Sequence, residues 1–229
     1  MEGRSTATTP KIADVRTVKT VMVADLSGST ALGERLDPEE LRAVLGGYFQ
    51  TLSHQIHRFG GTIDKYIGDA VRAVFEGDDG AVRGLSAGLA MLEAMAEKNE
   101  ELERRYKVRL SLRIGVNTGE VVGSAASLSG QGQPSVGRTV TIAQRLESTA
   151  TPNTVQVGQR TYRSGRHAFR FEAAPLITIA GAEDVERAYR LVARKRATGP
   201  LAESSPVIAP LQSTGASLQV GEQKAYVLE

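Results

Sequence analysis

Phe59-Gly60-Gly61-Thr62-Ile63-Asp64-Lys65-Tyr66-Ile67-Gly68-Asp69-Ala70-Val71-Arg72-Ala73-Val74-Phe75 is the stretch on which the fold turns. Two short runs rich in β-branched and aromatic residues, Thr62 to Ile67 and Ala70 to Phe75, flank the pair Gly68-Asp69. Glycine tolerates the positive φ that a two-residue turn demands, so the stretch reads as a tight hairpin. Its tip carries a carboxylate, with a lysine four residues earlier. Most turn aspartates only make turns, so this one gains meaning from the rest of the chain.

Upstream of the hairpin, Asp37-Pro38-Glu39-Glu40 starts a helix with Asp as N-cap, Pro at N1 and Glu at N3. Leu41, Val44, Leu45, Tyr48, Leu52, Ile56 and Phe59 recur at helical spacing, and Gly60-Gly61 ends the element. His54 and His57 on it read as solvated residues rather than metal ligands. Before the helix, Val18 to Asp25 reads as a buried strand running into Leu26-Ser27-Gly28-Ser29-Thr30. A carboxylate at a strand end beside small residues suits a metal carrying phosphates. The plainer reading is a Ser/Gly loop in which Asp25 caps the next helix.

Downstream, Asp78-Asp79-Gly80 introduces a second helix to about Arg105, with Val82, Leu85, Leu89, Leu92 and Met95 as its apolar stripe and Met91 as core filler. Lys107 to Asn117 then alternates. Val108, Leu110, Leu112, Ile114 and Val116 face a helical layer; Arg109, Ser111, Arg113, Gly115 and Asn117 face the other way. Thr118-Gly119-Glu120 reads as a turn and Val121-Val122-Gly123 as a short return strand. Residues 124–137 read as a flexible loop, and Arg138 to Ser148 as a helix. Further strands are expected around Val155 and Val157, Phe169 and Phe171, Ile177 and Ile179, and Tyr189 to Val192.

The order strand, helix, hairpin, helix, strand predicts an α+β fold. It has a ferredoxin-like βαββαβ core with extra C-terminal strands, its helices on one face of a mainly antiparallel sheet. Residues 1–16 are expected to be disordered, 17–193 to form one domain, and 194–229 to be linker-like. Fold alone does not give function.

Composition narrows the classes. Of 229 residues, 41% are hydrophobic and 24% charged, which is ordinary for a globular protein. The formal net charge of +2, with both signs interleaved, offers no nucleic-acid stripe. The absence of cysteine excludes disulfides, thiolate zinc sites and a cysteine nucleophile. No apolar run approaches the ~20 residues of a membrane span, and no secretory leader is evident, so a cytoplasmic location is expected.

Four motifs then occur in order. They are Val21-Met22-Val23-Ala24-Asp25-Leu26-Ser27-Gly28-Ser29-Thr30, Lys65-Tyr66-Ile67-Gly68-Asp69-Ala70, Leu112-Arg113-Ile114-Gly115-Val116-Asn117-Thr118-Gly119-Glu120 and Val136-Gly137-Arg138-Thr139-Val140-Thr141-Ile142-Ala143-Gln144-Arg145-Leu146-Glu147-Ser148. Together they closely resemble the catalytic domain of class III adenylate/guanylate cyclases, from about Thr17 to Val192. The resemblance implies a homodimer whose two protomers share each active site, with a nucleoside triphosphate, ATP foremost, as substrate. It implies that Asp25 and Asp69, assisted by the Leu26 carbonyl, hold two divalent ions, Mg²⁺ or Mn²⁺. It places Gly28, Ser29, Thr30 and Arg113 at the triphosphate, Lys65 on adenine, and Arg145 at the α-phosphate.

Three positions depart from the family pattern. Where the family reads the adenine amino group, this chain has Pro134, which has no side-chain hydrogen bond to offer; Ser135 or Gln133 are alternatives. The ribose-holding Asn is replaced by Thr141. The lysine that meets the terminal phosphates is absent from Ile179-Ala180-Gly181-Ala182, and Arg138, one turn before Thr141, is positioned to replace one lost contact. All three fall on the half-site that each protomer lends to its partner. The expectation is therefore a cyclase making cyclic AMP, with two alternatives kept open: a silent cyclase-homology module, and a cyclase for GTP or a pyrimidine nucleotide. A diguanylate cyclase is disfavoured, because Gly60-Gly61 is followed by Thr-Ile rather than an acidic pair and Phe.

Overall fold

The computed structural model describes residues 14–28, 32–124, 135–179 and 185–196. The chain runs β1 (Asp14–Ser27), α1 (Pro38–Arg58), β2 (Thr62–Ile67), β3 (Ala70–Phe75), α2 (Gly80–Tyr106) and β4 (Ser111–Ser124). It continues with α3 (Arg138–Thr149), β5 (Thr154–Gly158), α4 (Gln159–Gly165), β6 (Phe169–Ala173), β7 (Ile177–Thr178), β8 (Val185–Glu186) and β9 (Ala188–Arg194). Seven strands form one sheet in the order β2-β3-β1-β4-β5-β9-β6, and β7 with β8 makes a separate two-stranded ribbon. Every pairing in the large sheet is antiparallel except β4 with β5. The first four strands and the two helices between them are the expected βαββαβ core, in the order β2-β3-β1-β4.

Local chemistry explains the elements. The Asp37 carboxylate accepts the Glu40 backbone N–H at 2.9 Å and Pro38 opens α1, a cap worth roughly 1 kcal/mol. Ile67 and Ala70 pair across the Gly68-Asp69 turn, with Gly68 at φ 61°. Lys107 ends α2 in the left-handed region, its N–H returning to the Glu103 carbonyl. Buried Asn99 then donates to the Leu110 carbonyl and accepts from the Leu110 N–H, both at 2.8 Å, pairing the segment before β4 as another strand would.

Two hydrophobic layers follow from strand alternation. Met22, Ala24 and Leu26 of β1, Val71, Ala73 and Phe75 of β3, and Leu112, Ile114 and Val116 of β4 pack against α1 and α2 in one large cluster. Each large buried side chain there contributes roughly 1.5–3 kcal/mol. The alternate residues Val21, Val23, Val74 and Val121 form a smaller cluster with Val140 and Ala143 of α3. The face turned away from the core helices therefore holds α3, which crosses from β4 to its parallel neighbour β5.

Three details differ from the sequence reading. Thr118-Gly119-Glu120 is not a turn: β4 runs straight through it, paired with Thr20, Lys19 and Val18 of β1. The cause is β1 itself, which begins at Asp14, inside the segment expected to be disordered, and supplies ladder partners as far as Ser124. Gly119 is there for packing, since a Cβ would lie 2.4 Å from the Thr139 hydroxyl oxygen. The third detail is the short helix α4, which sequence periodicity did not reveal. Among the described residues no helix is long and apolar enough to cross a membrane. These elements belong to a compact unit that ends at Lys195.

Candidate active site

The register of the central strands assembles the site. Asp25, near the end of β1, pairs with Ala70 on one side and Arg113 on the other. Asp69, on the hairpin tip, is covalently next to Ala70. The two carboxylates expected from sequence to hold metal therefore come from β1 and from the hairpin turn that leads into its neighbour β3. Arg113 Nη2 donates to Asp25 Oδ2 at 2.6 Å, and its Nε lies 3.2 Å from Glu147 Oε1 on α3. That second approach is ionic only: neither atom finds hydrogen-bond geometry, and both are buried. Glu147 gets there because Gly115 lets α3 lie directly on β4. A Cβ on Gly115 would sit 2.2 Å from the Ala143 carbonyl oxygen and 2.3 Å from the Glu147 backbone nitrogen.

The electrostatics couple these groups to one another. Glu147 is pushed up to about 7, first by burial and then by Asp25, against a smaller lowering by Arg113. Arg113 is raised, chiefly by its hydrogen bond to Asp25. The buried Tyr48 hydroxyl on α1 is raised above its ordinary value by burial first, then by Asp25, Asp69 and Glu147. Asp69 contributes to the field at all three groups, which puts the hairpin tip in the same electrostatic unit.

Asp25 and Glu147 both reach Arg113, and carboxylate oxygen is the ligand that a hard divalent cation prefers. A raised buried carboxyl beside Asp25 is the mark of a place where added positive charge would be stabilised. Asp25 and Asp69 would be the ligands. Leu26 can contribute only its backbone, because its side chain is 2% exposed in the core. Among the described residues no group of three or more His, Cys, Asp or Glu has metal-holding geometry, so any ion would take part of its shell from substrate or water.

Beside Asp25 lies a cleft of about 450 Å³ whose lining includes Asp25, Ala70, Thr141, Arg145, Glu147 and Ile179. The structure thus brings Thr141 and Arg145, both exposed on α3, to one cleft with Asp25. Arg145 Nε donates to the Thr178 carbonyl at 3.0 Å, which ties the helix to β7. Lys65 stands exposed on β2, away from the cleft lining; Arg138 is exposed at the start of α3, and Gly28 follows β1 at φ 98°. Ser29, Thr30, Pro134 and the 180–182 stretch lie outside the described residues.

Glu147 is the site residue that sequence reasoning missed. It was quoted within a motif but given no role. Its signal was there: Val140, Ala143 and Glu147 are spaced as one helix face, so a carboxylate occupies the apolar stripe of α3.

Comparison with known proteins matches residues 13–193 to the adenylate and guanylate cyclase catalytic domain family. The chain belongs to this family. An adenylate cyclase of Anabaena cylindrica is 34% identical over 134 residues, covering 56% of this chain and 26% of that protein. The receptor-type guanylate cyclase gcy-23 of Caenorhabditis elegans is 28% identical over 144 residues, covering 61% of this chain and 13% of that protein. The chain thus spans about a quarter or less of the length of these relatives. Among solved structures, the adenylyl cyclase CyaB from P. aeruginosa superposes with a TM-score of 0.74 at 27% identity, over 82% of this chain and all of that one. The guanylyl cyclase Cya2 does so with a TM-score of 0.73 at 27% identity, over 80% and 96%. Adenylyl and guanylyl cyclases stand side by side in both comparisons, so family membership does not choose between them.

Proposed function

We propose that the chain is a nucleotidyl cyclase that converts ATP to 3′,5′-cyclic AMP and pyrophosphate at a site completed by a second copy of itself. The observation that carries this reading is the ladder placing Asp25 between Ala70 and Arg113, with Glu147 held against Arg113 from the other side. Two Mg²⁺ or Mn²⁺ ions on Asp25 and Asp69 would supply Lewis-acid activation of the ribose 3′-hydroxyl and neutralise the triphosphate. The side chains do the rest by positioning and charge. Arg113, side-chain exposure 29%, offers its guanidinium from the sheet to a phosphate oxygen. Arg145, on the cleft wall, stabilises the charge that develops at the α-phosphorus. Thr141 carries a single hydroxyl toward the ribose. Lys65 meets the base, and Arg138 and the Gly28 turn meet the phosphates.

The experiment is a panel of the four nucleoside triphosphates with Mn²⁺, read for a 3′,5′-cyclic product. Cyclic AMP above an Asp25→Ala control is expected; a preference for another triphosphate would change the base and keep the chemistry. Sharing of the site between two copies is tested by mixing Asp25→Ala with Arg145→Ala protein. If each site takes its aspartates from one copy and Arg145 from the other, the mixture recovers activity that neither variant has alone. A second reading, a module that binds nucleotide without turnover, is favoured by the Arg145–Thr178 hydrogen bond and by the loss of amide and lysine contacts at Thr141 and near Ala180. It predicts metal-dependent nucleotide binding by calorimetry with no cyclic product.

A further inference from the structure

Strand β2 contains a register shift: Ile63 pairs with Ala73 and Lys65 with Arg72, so Asp64 is the extra residue of a bulge. Two consecutive side chains, Asp64 and Lys65, therefore oppose one, Arg72; bulges are features that re-aim side chains beside sites. The register sets Lys65 opposite Arg72, a like-charged cross-strand pair that is unfavourable without a counter-charge. Asp64 resolves this and does more. Its Oδ2 accepts from Arg72 Nε at 2.6 Å, with side-chain exposures of 5% and 8%. Its Oδ1 accepts the backbone N–H of Ser135 at 3.0 Å.

Ser135 is covalently joined to Pro134, and its neighbour Val136 exchanges two backbone hydrogen bonds with Val122, both 2.9 Å. The segment entering α3 is thus tied to β4 through Val136 and to the base-side strand through Asp64. A buried ion pair is seldom more stabilising than a packed apolar pair, and the cluster on this side of the sheet is otherwise Val21, Val23 and Val74. An apolar residue at position 72 would suit that cluster; the charges are there for geometry.

We infer that Asp64 is a positioning residue for base recognition, resting on the cyclase reading above. It sets, from one carboxylate, both the direction of Lys65 and the distance between β2 and the Ser135 segment. The base of a nucleoside triphosphate would lie between these two elements, so Asp64 determines which base is accepted rather than how fast phosphorus is attacked. The buried Ser135 hydroxyl has no hydrogen-bond partner among the described residues.

The test measures dissociation constants of fluorescent ATP and GTP analogues, with Mn²⁺, for the full chain and for two variants. Asp64→Asn keeps one acceptor; the double variant Asp64→Ala with Arg72→Met removes both charges, so that neither is left buried and alone. Thermal melting establishes that each is folded. The expected result is a change of about fivefold or more in the ratio of the two affinities, the worth of one hydrogen bond, in at least the double variant. Equal weakening for both analogues, or no change, overturns the inference while leaving the cyclase reading intact. Loss of cyclic product without a change in that ratio does the same. A wild-type chain that binds neither analogue overturns both.

Discussion

Gly115 is where the fold and the site depend on one missing methyl group. In Gly115→Ala the new Cβ would lie 2.2 Å from the Ala143 carbonyl oxygen and 2.3 Å from the Glu147 nitrogen. Both are backbone atoms of α3, so no side chain can rotate away and the helix itself must retreat by roughly 1 Å to restore ordinary contact. Overpacking of this kind costs typically about 1–3 kcal/mol, which lowers the melting temperature by roughly 2–12 °C in a domain of this size. The retreat also withdraws Glu147 from Arg113 and moves Thr141 and Arg145, all on α3. The proposed cyclase turnover should therefore fall about 10²-fold, the scale of a 1 Å misplacement, at temperatures where the variant is still fully folded. The control is Gly46→Ala on the exposed side of α1, where nothing lies within 4 Å of the new methyl. It should stabilise the chain by about 0.5–1 kcal/mol and leave turnover unchanged. A Gly115→Ala protein that melts with the wild type and turns over normally would refute the claim that α3 is pinned to β4 by this contact.

Asn99→Leu would leave the buried N–H and carbonyl of Leu110 unpaired. At about 1–3 kcal/mol for each group, denaturant titration should show roughly 2–5 kcal/mol lost; under 1 kcal/mol would contradict the bonding. Tyr48→Phe removes a buried hydroxyl that has no partner among the described residues, so stability should hold or rise by about 1 kcal/mol. A clear fall would reveal a bond in solution. Glu147 gives a pH dependence. Its carboxyl, ordinarily 4.5, is raised to about 7 by burial and then Asp25, with Arg113 opposing and Asp69 adding. Between those values the unfolded chain has released a proton that the folded chain keeps, so metal-free stability should fall as pH rises through this window, by up to about 3 kcal/mol. Glu147→Gln should flatten that slope in melts from pH 4.5 to 7.5, and an unaltered slope would rule Glu147 out as its source.

The local parts of this architecture were legible because each rests on a short-range rule. The Asp37-Pro38 cap, the Gly68-Asp69 turn and the alternation of Leu112, Ile114 and Val116 need only neighbours in the chain to be recognised. The misreadings share one cause. Thr118-Gly119-Glu120 has turn composition, yet it is strand because β1 extends far enough to pair with it, and a partner about one hundred residues away overrides local preference. In the same way the glycines at 115 and 119 look like breakers in sequence and are contact points in space, each facing α3. Asp25 and Asp69 could be singled out by motif; their company with Arg113 and Glu147 follows from register, which pattern alone does not specify.

That register also explains how the departures at Pro134 and Thr141 can coexist with the two aspartates proposed to hold metal. Asp25, Asp69 and Arg113 are placed by the β3-β1-β4 ladder, whose geometry is set by backbone hydrogen bonds and the large core beneath. Thr141 and Arg145 are placed by α3, held to the sheet by glycine contacts and a small valine cluster and to β7 by the Thr178 carbonyl. Substitutions on the exposed side of α3 therefore change what the cleft presents to a nucleotide without disturbing the carboxylates. The hairpin is the exception, because it carries Asp69 at its tip and Asp64 and Lys65 along one strand. On the proposed reading a change at Asp64 would be felt at the base through Lys65 and Ser135, while Asp69 stays beside Ala70, the residue that pairs with Asp25. On that reading base choice and metal binding would be separable in this chain to the extent that the bulge at Asp64 absorbs the difference between them.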